Sequence, residues 1–154
     1  LDPKIKHHFA DVDEIWHAGD IGDKSVLLEL EAFKPTRAVY GNIDDYEVRS
    51  MAPEHNHFMC EGIKVLITHI AGKPGKYYQQ GKAAIEEFRP KLFICGHSHI
   101  LLVKNDPHYN MLWLNPGACG YKGFHQVRTL LRFDIDGDKI MNMEAIELGD
   151  RSVH

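Results

Sequence analysis

Up to His99, short apolar runs that read as buried strands alternate with segments whose apolar positions recur at helical spacing; beyond it the pattern is strands alone. The chain opens on a helix, since Asp2 can cap it, Pro3 suits a first turn, and Ile5 and Phe9 share a face. Glu14 to Ala18 reads as a short strand ending at Gly19-Asp20. Asp23 then caps an amphipathic helix carrying Val26, Leu27, Leu30 and Phe33, and Pro35 stops it. Thr36 to Tyr40 is the next strand, ending at Gly41-Asn42-Ile43-Asp44, and a polar stretch rich in His and Pro follows.

His57 to Cys60 and Lys64 to Ile67 form a hairpin around Glu61-Gly62, and its second strand runs into Thr68-His69. Ala71 to Gly75 reads as loop and Tyr77 to Phe88 as helix. Lys91 to Cys95 is a buried strand that delivers Gly96-His97-Ser98-His99, where Gly96 is expected to turn the backbone so that both rings leave toward a common point. Leu101 to Val103, Met111 to Leu114, Arg128 to Ile135 and Lys139 to Leu148 follow as strands, the last two joined by Asp136-Gly137, and residues after Leu148 read as a frayed tail. The pattern predicts one α/β domain, with two mainly mixed β-sheets packed face to face and helices on the outside.

Composition narrows the function. A formal charge of −4 argues against nucleic acid as the main partner, while leaving room for a small anionic substrate. Cys60, Cys95 and Cys119 form no CxxC pair or disulfide framework, which suits a reducing cytoplasm. No apolar run approaches a membrane span and no signal peptide opens the chain. Association into a homo-oligomer is left open. Eleven histidines among 154 residues are the excess that asks for an explanation.

Every strand–loop junction up to His99 carries a metal-competent side chain: Asp20, Asn42, His69, and the pair His97 and His99. Strands lying side by side would bring these ends to one rim. A carboxylate, an amide oxygen and three imidazoles suit Mn, Fe, Zn or Ni better than Ca or Mg. Singly, Asp20 reads as a capping turn residue and Asn42 as a turn residue; the ordered set reverses that. Asp44 is expected to orient its loop, and His17 to pack or hydrogen-bond inside its strand. His7, His8, His108 and His154 read as surface, while His55, His57 and His125 stay open as cleft residues, as do Tyr77 and Tyr78.

In this order and at these strand ends, Gly19-Asp20, Gly41-Asn42-Ile43-Asp44, Thr68-His69 and Gly96-His97-Ser98-His99 resemble the calcineurin-like metallophosphoesterases. Asn115-Pro116-Gly117 after a strand is similar to their small prokaryotic phosphodiesterase branch. The resemblance implies the four-layer sandwich of that family and a metal-dependent phosphodiesterase acting on a small phosphoester. It implies a dinuclear site where a metal-bridging hydroxide attacks in line. Asp20 would bridge two divalent ions, Mn foremost; Asn42, His69 and His97 would complete one site and His99 would serve the other, these five residues carrying catalysis.

Two departures from the family pattern bear on this reading. The first motif, an Asp-x-His at the end of a first strand, is absent, so residues 1–154 are expected to be a single metallophosphoesterase domain lacking its N-terminal strand of about five or six residues. Many members carry His where this chain has Ile43, and Ile cannot transfer a proton; this resembles the branch more active on phosphodiesters. The alternative is a non-catalytic protein-interaction module, as in a retromer subunit that keeps this fold without activity; such a module need hold no metal.

Overall fold

The computed structural model describes residues 1–152, so His154 and the end of the expected tail lie outside the described residues. Capping carboxylates set the first two helices. Asp2 accepts from the Lys4 N–H at 2.9 Å and starts α1 (Pro3–His8). After β1 (Ile15–His17), Asp23 accepts from the Ser25 N–H at 2.8 Å and starts α2 (Lys24–Phe33), which buries Leu27 and Leu30. β2 (Thr36–Ala38) returns parallel to β1. The polar stretch that follows holds an unforeseen helix, α3 (Tyr46–Met51), capped by Asp45. Its six residues bury only Val48, so no apolar periodicity announces it.

β3 (His55–Cys60) and β4 (Ile63–Thr68) form the expected antiparallel hairpin. The segment read as loop folds into a two-strand ribbon, β5 (Gly72–Lys73) and β6 (Lys76–Tyr77), and α4 (Gln79–Phe88) starts two residues later than its periodicity suggests. The remaining elements are β7 (Leu92–Ile94), β8 (Leu101–Asp106), β9 (Met111–Pro116), β10 (Val127–Asp136) and β11 (Lys139–Asp150). The frayed tail is corrected: β11 continues to Asp150, Gly149 and Asp150 pair with Arg128 and Val127, and the Arg151 N–H donates to the Gln126 carbonyl at 2.8 Å. A backbone ladder needs no apolar side chain, so polarity alone misplaced its end.

β3, β4, β7, β9 and β8 form one five-stranded sheet in that order, with β4, β7 and β9 parallel. Side chains alternate across it. Leu66, Phe93 and Trp113 pack with Ala84 and Ile85 of α4 on one face. Val65, Ile67, Leu92, Ile94 and Leu114 meet Trp16 of β1 and Leu131, Phe133, Ile140 and Met143 of the β10–β11 hairpin on the other. The second β-layer is thus two ribbons, β1–β2 and β10–β11. Outside it, α2 and α3 cover β1–β2 through Leu27 and Val48, and α1 sets Ile5 against Leu130 and Leu148 of the hairpin.

Arg128 ties α1 to that hairpin. Its side chain is buried, and its guanidinium donates to Asp2 Oδ2 at 2.7 Å, to the Cys119 carbonyl at 3.2 Å and to the Leu148 carbonyl at 3.1 Å. Arg128→Met would remove the ion-pair partner of Asp2 and the guanidinium bonds to the Cys119 and Leu148 carbonyls, of which Leu148 keeps Lys4 Nζ at 3.0 Å. It should lower stability by about 3 kcal/mol in urea denaturation. The Lys4 N–H first, and then Arg128, hold the Asp2 carboxyl below its ordinary 3.8. That contribution is present above about pH 4 and fades as pH falls through the folded value, so the gap between wild type and variant should narrow in acid.

Candidate metal centre

The carboxyl ends of β1, β2, β4 and β7 open into the loops that carry Asp20, Asn42, His69 and His97. Three candidate residues sit in the left-handed backbone region: Asp20 at φ 55°, His97 at φ 71° and His99 at φ 61°. Each such placement of a non-glycine residue costs about 1–2 kcal/mol and persists only where its surroundings over-determine it. Gly96 was expected to make the turn, and it does not: the positive φ angles fall on the histidines themselves. What Gly96 supplies is space, since a Cβ there would lie 2.9 Å from the Ala18 carbonyl oxygen and 3.3 Å from His69 Nδ1.

His69 is buried, and its Nδ1 lies 2.6 Å from the Ala18 carbonyl oxygen. A carbonyl only accepts, so Nδ1 carries the hydrogen and Nε2 of the neutral ring is a lone pair. That lone pair faces Asn42 Oδ1 at 3.0 Å and Asp20 Oδ2 at 3.2 Å. Asn42 Oδ1 lies in turn 3.1 Å from His97 Nδ1. Ligand atoms of Asp20, His69 and His97 all fall within 4.8 Å of one another. With both rings neutral and turned to present lone pairs, these nitrogen and oxygen donors fit a divalent transition ion.

Two buried side chains hold the loops. Asp44 accepts from the N–H groups of Ile21 at 3.1 Å, Gly22 at 2.8 Å and Gly41 at 2.7 Å, bracketing Asp20 and Asn42 in the chain. Asn115 donates to the Gly96 carbonyl at 2.9 Å and to Ser98 Oγ at 3.0 Å, and accepts from the Gly117 N–H at 3.0 Å. Asn115 therefore grips the loop on which His97 and His99 stand.

His99 lies outside the four-residue group. Its Nδ1 is 3.2 Å from Nδ1 of His125, whose Nε2 is 2.8 Å from the Gly120 carbonyl oxygen. Burial first, and then His125, lower the His99 pKa, which favours a neutral ring. Of the three histidines left open, His55 bonds the Thr68 hydroxyl at 2.8 Å and His57 stacks on Phe88. Only His125 joins a candidate ligand. His17 accepts the Gly19 N–H at 3.1 Å, and burial pushes its pKa down to about 4. The Tyr77 hydroxyl donates to Asp106 at 2.6 Å in the core, whereas Tyr78 borders a cleft of about 360 Å³ beside His97. Leu102, Trp113 and Ile100 also line that cleft, with Lys73 and Lys76 from the β5–β6 ribbon.

The sequence profile of the calcineurin-like phosphoesterase superfamily domain matches residues 1–138. A probable metallophosphoesterase from Methanothermobacter thermautotrophicus is 30% identical over 142 residues, which span 92% of this chain and 79% of that protein. Among solved structures, an archaeal phosphodiesterase superposes with a TM-score of 0.73 at 23% identity, covering 95% of this chain and 90% of its own. Vps29 from Entamoeba histolytica, complexed with zinc, superposes with a TM-score of 0.73 at 14% identity, covering 99% and 91%. At these identities both likenesses speak for the fold alone.

Proposed function

The chain belongs to the calcineurin-like phosphoesterase superfamily, and from that premise we propose that it is a metal-dependent phosphodiesterase. The observation that carries the reading is His69 Nε2 facing Asp20 and Asn42 oxygens while Nδ1 is committed to the Ala18 carbonyl. In this proposal Asp20, Asn42, His69 and His97 hold one divalent ion. Asp20 also reaches a second ion served by His99, with Mn the best match to the donors and Fe, Zn or Ni next. When bound, such a pair supplies Lewis acidity and a hydroxide nucleophile at neutral pH for in-line attack on phosphorus. The Asp-x-His expected before Leu1 would add the remaining ligands of the second ion, and the encoded upstream sequence reads that point directly.

The protein's own groups orient this chemistry. The Ala18 carbonyl fixes the His69 tautomer, and the Ile43 N–H holds Asp20 Oδ1 at 3.2 Å. Ile43 itself is exposed and offers no proton to a leaving group. The cleft beside His97 has room for a second ester substituent, and its two lysines favour an anionic substrate on a chain of net charge −4. The room for a second substituent supports a diester over a monoester. The three free thiols suit the proposed cytoplasmic setting, and no helix among the described residues is long and apolar enough to cross a membrane.

The test is hydrolysis of bis(p-nitrophenyl) phosphate and of p-nitrophenyl phosphate by protein stripped with chelator and then reloaded. Activity should return with Mn, and kcat/KM should be higher for the diester. The other reading is a non-catalytic interaction module of the same fold, and since Vps29 of this fold is seen complexed with zinc, metal content does not separate the two. Full metal loading without hydrolysis by Mn, Fe, Zn or Ni forms would select the interaction module.

A further inference from the structure

A line of hydrogen bonds begins in the loop before β10, at a carbonyl that fixes one imidazole hydrogen. The Gly120 carbonyl accepts from His125 Nε2 at 2.8 Å, so Nε2 carries a hydrogen and Nδ1 of the neutral ring is an acceptor. His125 Nδ1 lies 3.2 Å from His99 Nδ1. Two nitrogens at that distance share one hydrogen, which His99 supplies when the His125 ring is neutral. His99 Nε2 is then left with an unshared lone pair. The ring centroids lie 5.0 Å apart with their planes inclined at 79°.

The surroundings hold this line in place. His125 is buried, and its carbonyl accepts from Arg151 Nε at 2.7 Å, so the continuation of β11 past the hydrophobic run anchors the loop. Gly123 adopts φ +133°, and a Cβ there would collide with the His99 imidazole. The loop can thus pass over His99 only with glycine at that position.

We infer that His125 is a positioning residue that accepts the His99 Nδ1 hydrogen and so presents the His99 Nε2 lone pair to the second metal ion. This rests on the two-ion reading proposed above. A ligating histidine needs its other nitrogen tied down, because rotation of the ring or a change of tautomer removes the lone pair from the site. A carbonyl or carboxylate usually does this, as the Ala18 carbonyl does for His69. Here a second imidazole, itself pinned by a carbonyl, takes that part. It adds no negative charge beside the ions, which leaves their Lewis acidity undiminished.

The experiment reads the tautomer directly, by ¹⁵N-edited NMR of the histidine side chains in metal-free protein, and then follows titration with Mn. In wild type, His99 should be protonated at Nδ1. His125→Phe keeps a flat ring without an acceptor, and should move His99 toward the Nε2-protonated form and weaken the second Mn by about 10–100-fold, leaving the first unchanged. His125→Asn can place an amide oxygen where Nδ1 stood, and should restore much of both. Wild-type His99 protonated at Nε2 would overturn the assignment even if the variants fail to fold, as would a His125→Phe protein with unchanged tautomer and Mn affinity. Failure of wild type to bind any Mn would instead overturn the metal-centre reading, while the tautomer still judges His125.

Discussion

Replacing His69 by asparagine should leave a folded protein whose metal-dependent diester hydrolysis is lower by on the order of 10³-fold, beyond the roughly 10–100-fold that loss of an outer partner costs. The choice of asparagine follows from the two jobs of this ring. Its Nδ1 donates to the Ala18 carbonyl at 2.6 Å, and its Nε2 faces Asp20 and Asn42. An asparagine amide nitrogen can stand in for Nδ1 and keep the carbonyl bonded, but nothing then reaches the position of Nε2. Alanine removes both functions and leaves the partly buried Ala18 carbonyl without that partner, with an added cost of about 1 kcal/mol. The two variants should therefore share a loss of activity and differ in stability. Calorimetric Mn titration beside thermal melts separates these effects, and a His69→Asn protein that binds Mn as wild type does would remove His69 from the centre.

Much of this arrangement was legible in the sequence because its signals were local. Apolar runs broken by Gly19, Gly41 and Gly96 located strand ends, and the polar residues just beyond are the ones the fold brings together: Asp20, Asn42, His69 and His97. The alternation of strands and helices, and then strands alone, likewise reappears as a sheet covered by α4 on one face and by the β1–β2 and β10–β11 ribbons on the other.

What escaped the sequence depends on tertiary partners. His97 and His99 take left-handed backbone angles because Asn115, on another strand, grips both Gly96 and Ser98; local propensity alone points to the glycine. α3 buries one residue and leaves no periodic trace. The pairing of His125 with His99 spans 26 residues and arises where a glycine-containing loop folds back over the site. Arg151 looked like tail because its contribution is to hold the backbone of that loop.

Asp44→Ala should destabilise the protein by about 4 kcal/mol, a large share of the roughly 5–15 kcal/mol that holds a domain together. Asp44 has no metal-binding part in this reading. Its carboxylate is buried and receives three backbone N–H groups, from Ile21, Gly22 and Gly41, all of which lose their partner in the alanine variant. The loss should also reach the metal. Ile21 follows Asp20 and Gly41 precedes Asn42, so releasing these bonds frees two ligand loops at once, although no ligand has changed. Asp44→Asn offers a graded control, since an amide oxygen at the Oδ2 position keeps the bonds from Ile21 and Gly41 while its NH₂ opposes the Gly22 N–H. Stability and Mn affinity should therefore fall together, in the order wild type, asparagine, alanine, as read by urea midpoints and Mn titration. An alanine variant within about 1 kcal/mol of wild type, with its Mn affinity intact, would mean that the two loops hold their shape without the carboxylate. The left-handed strain at Asp20 would then need another source of support.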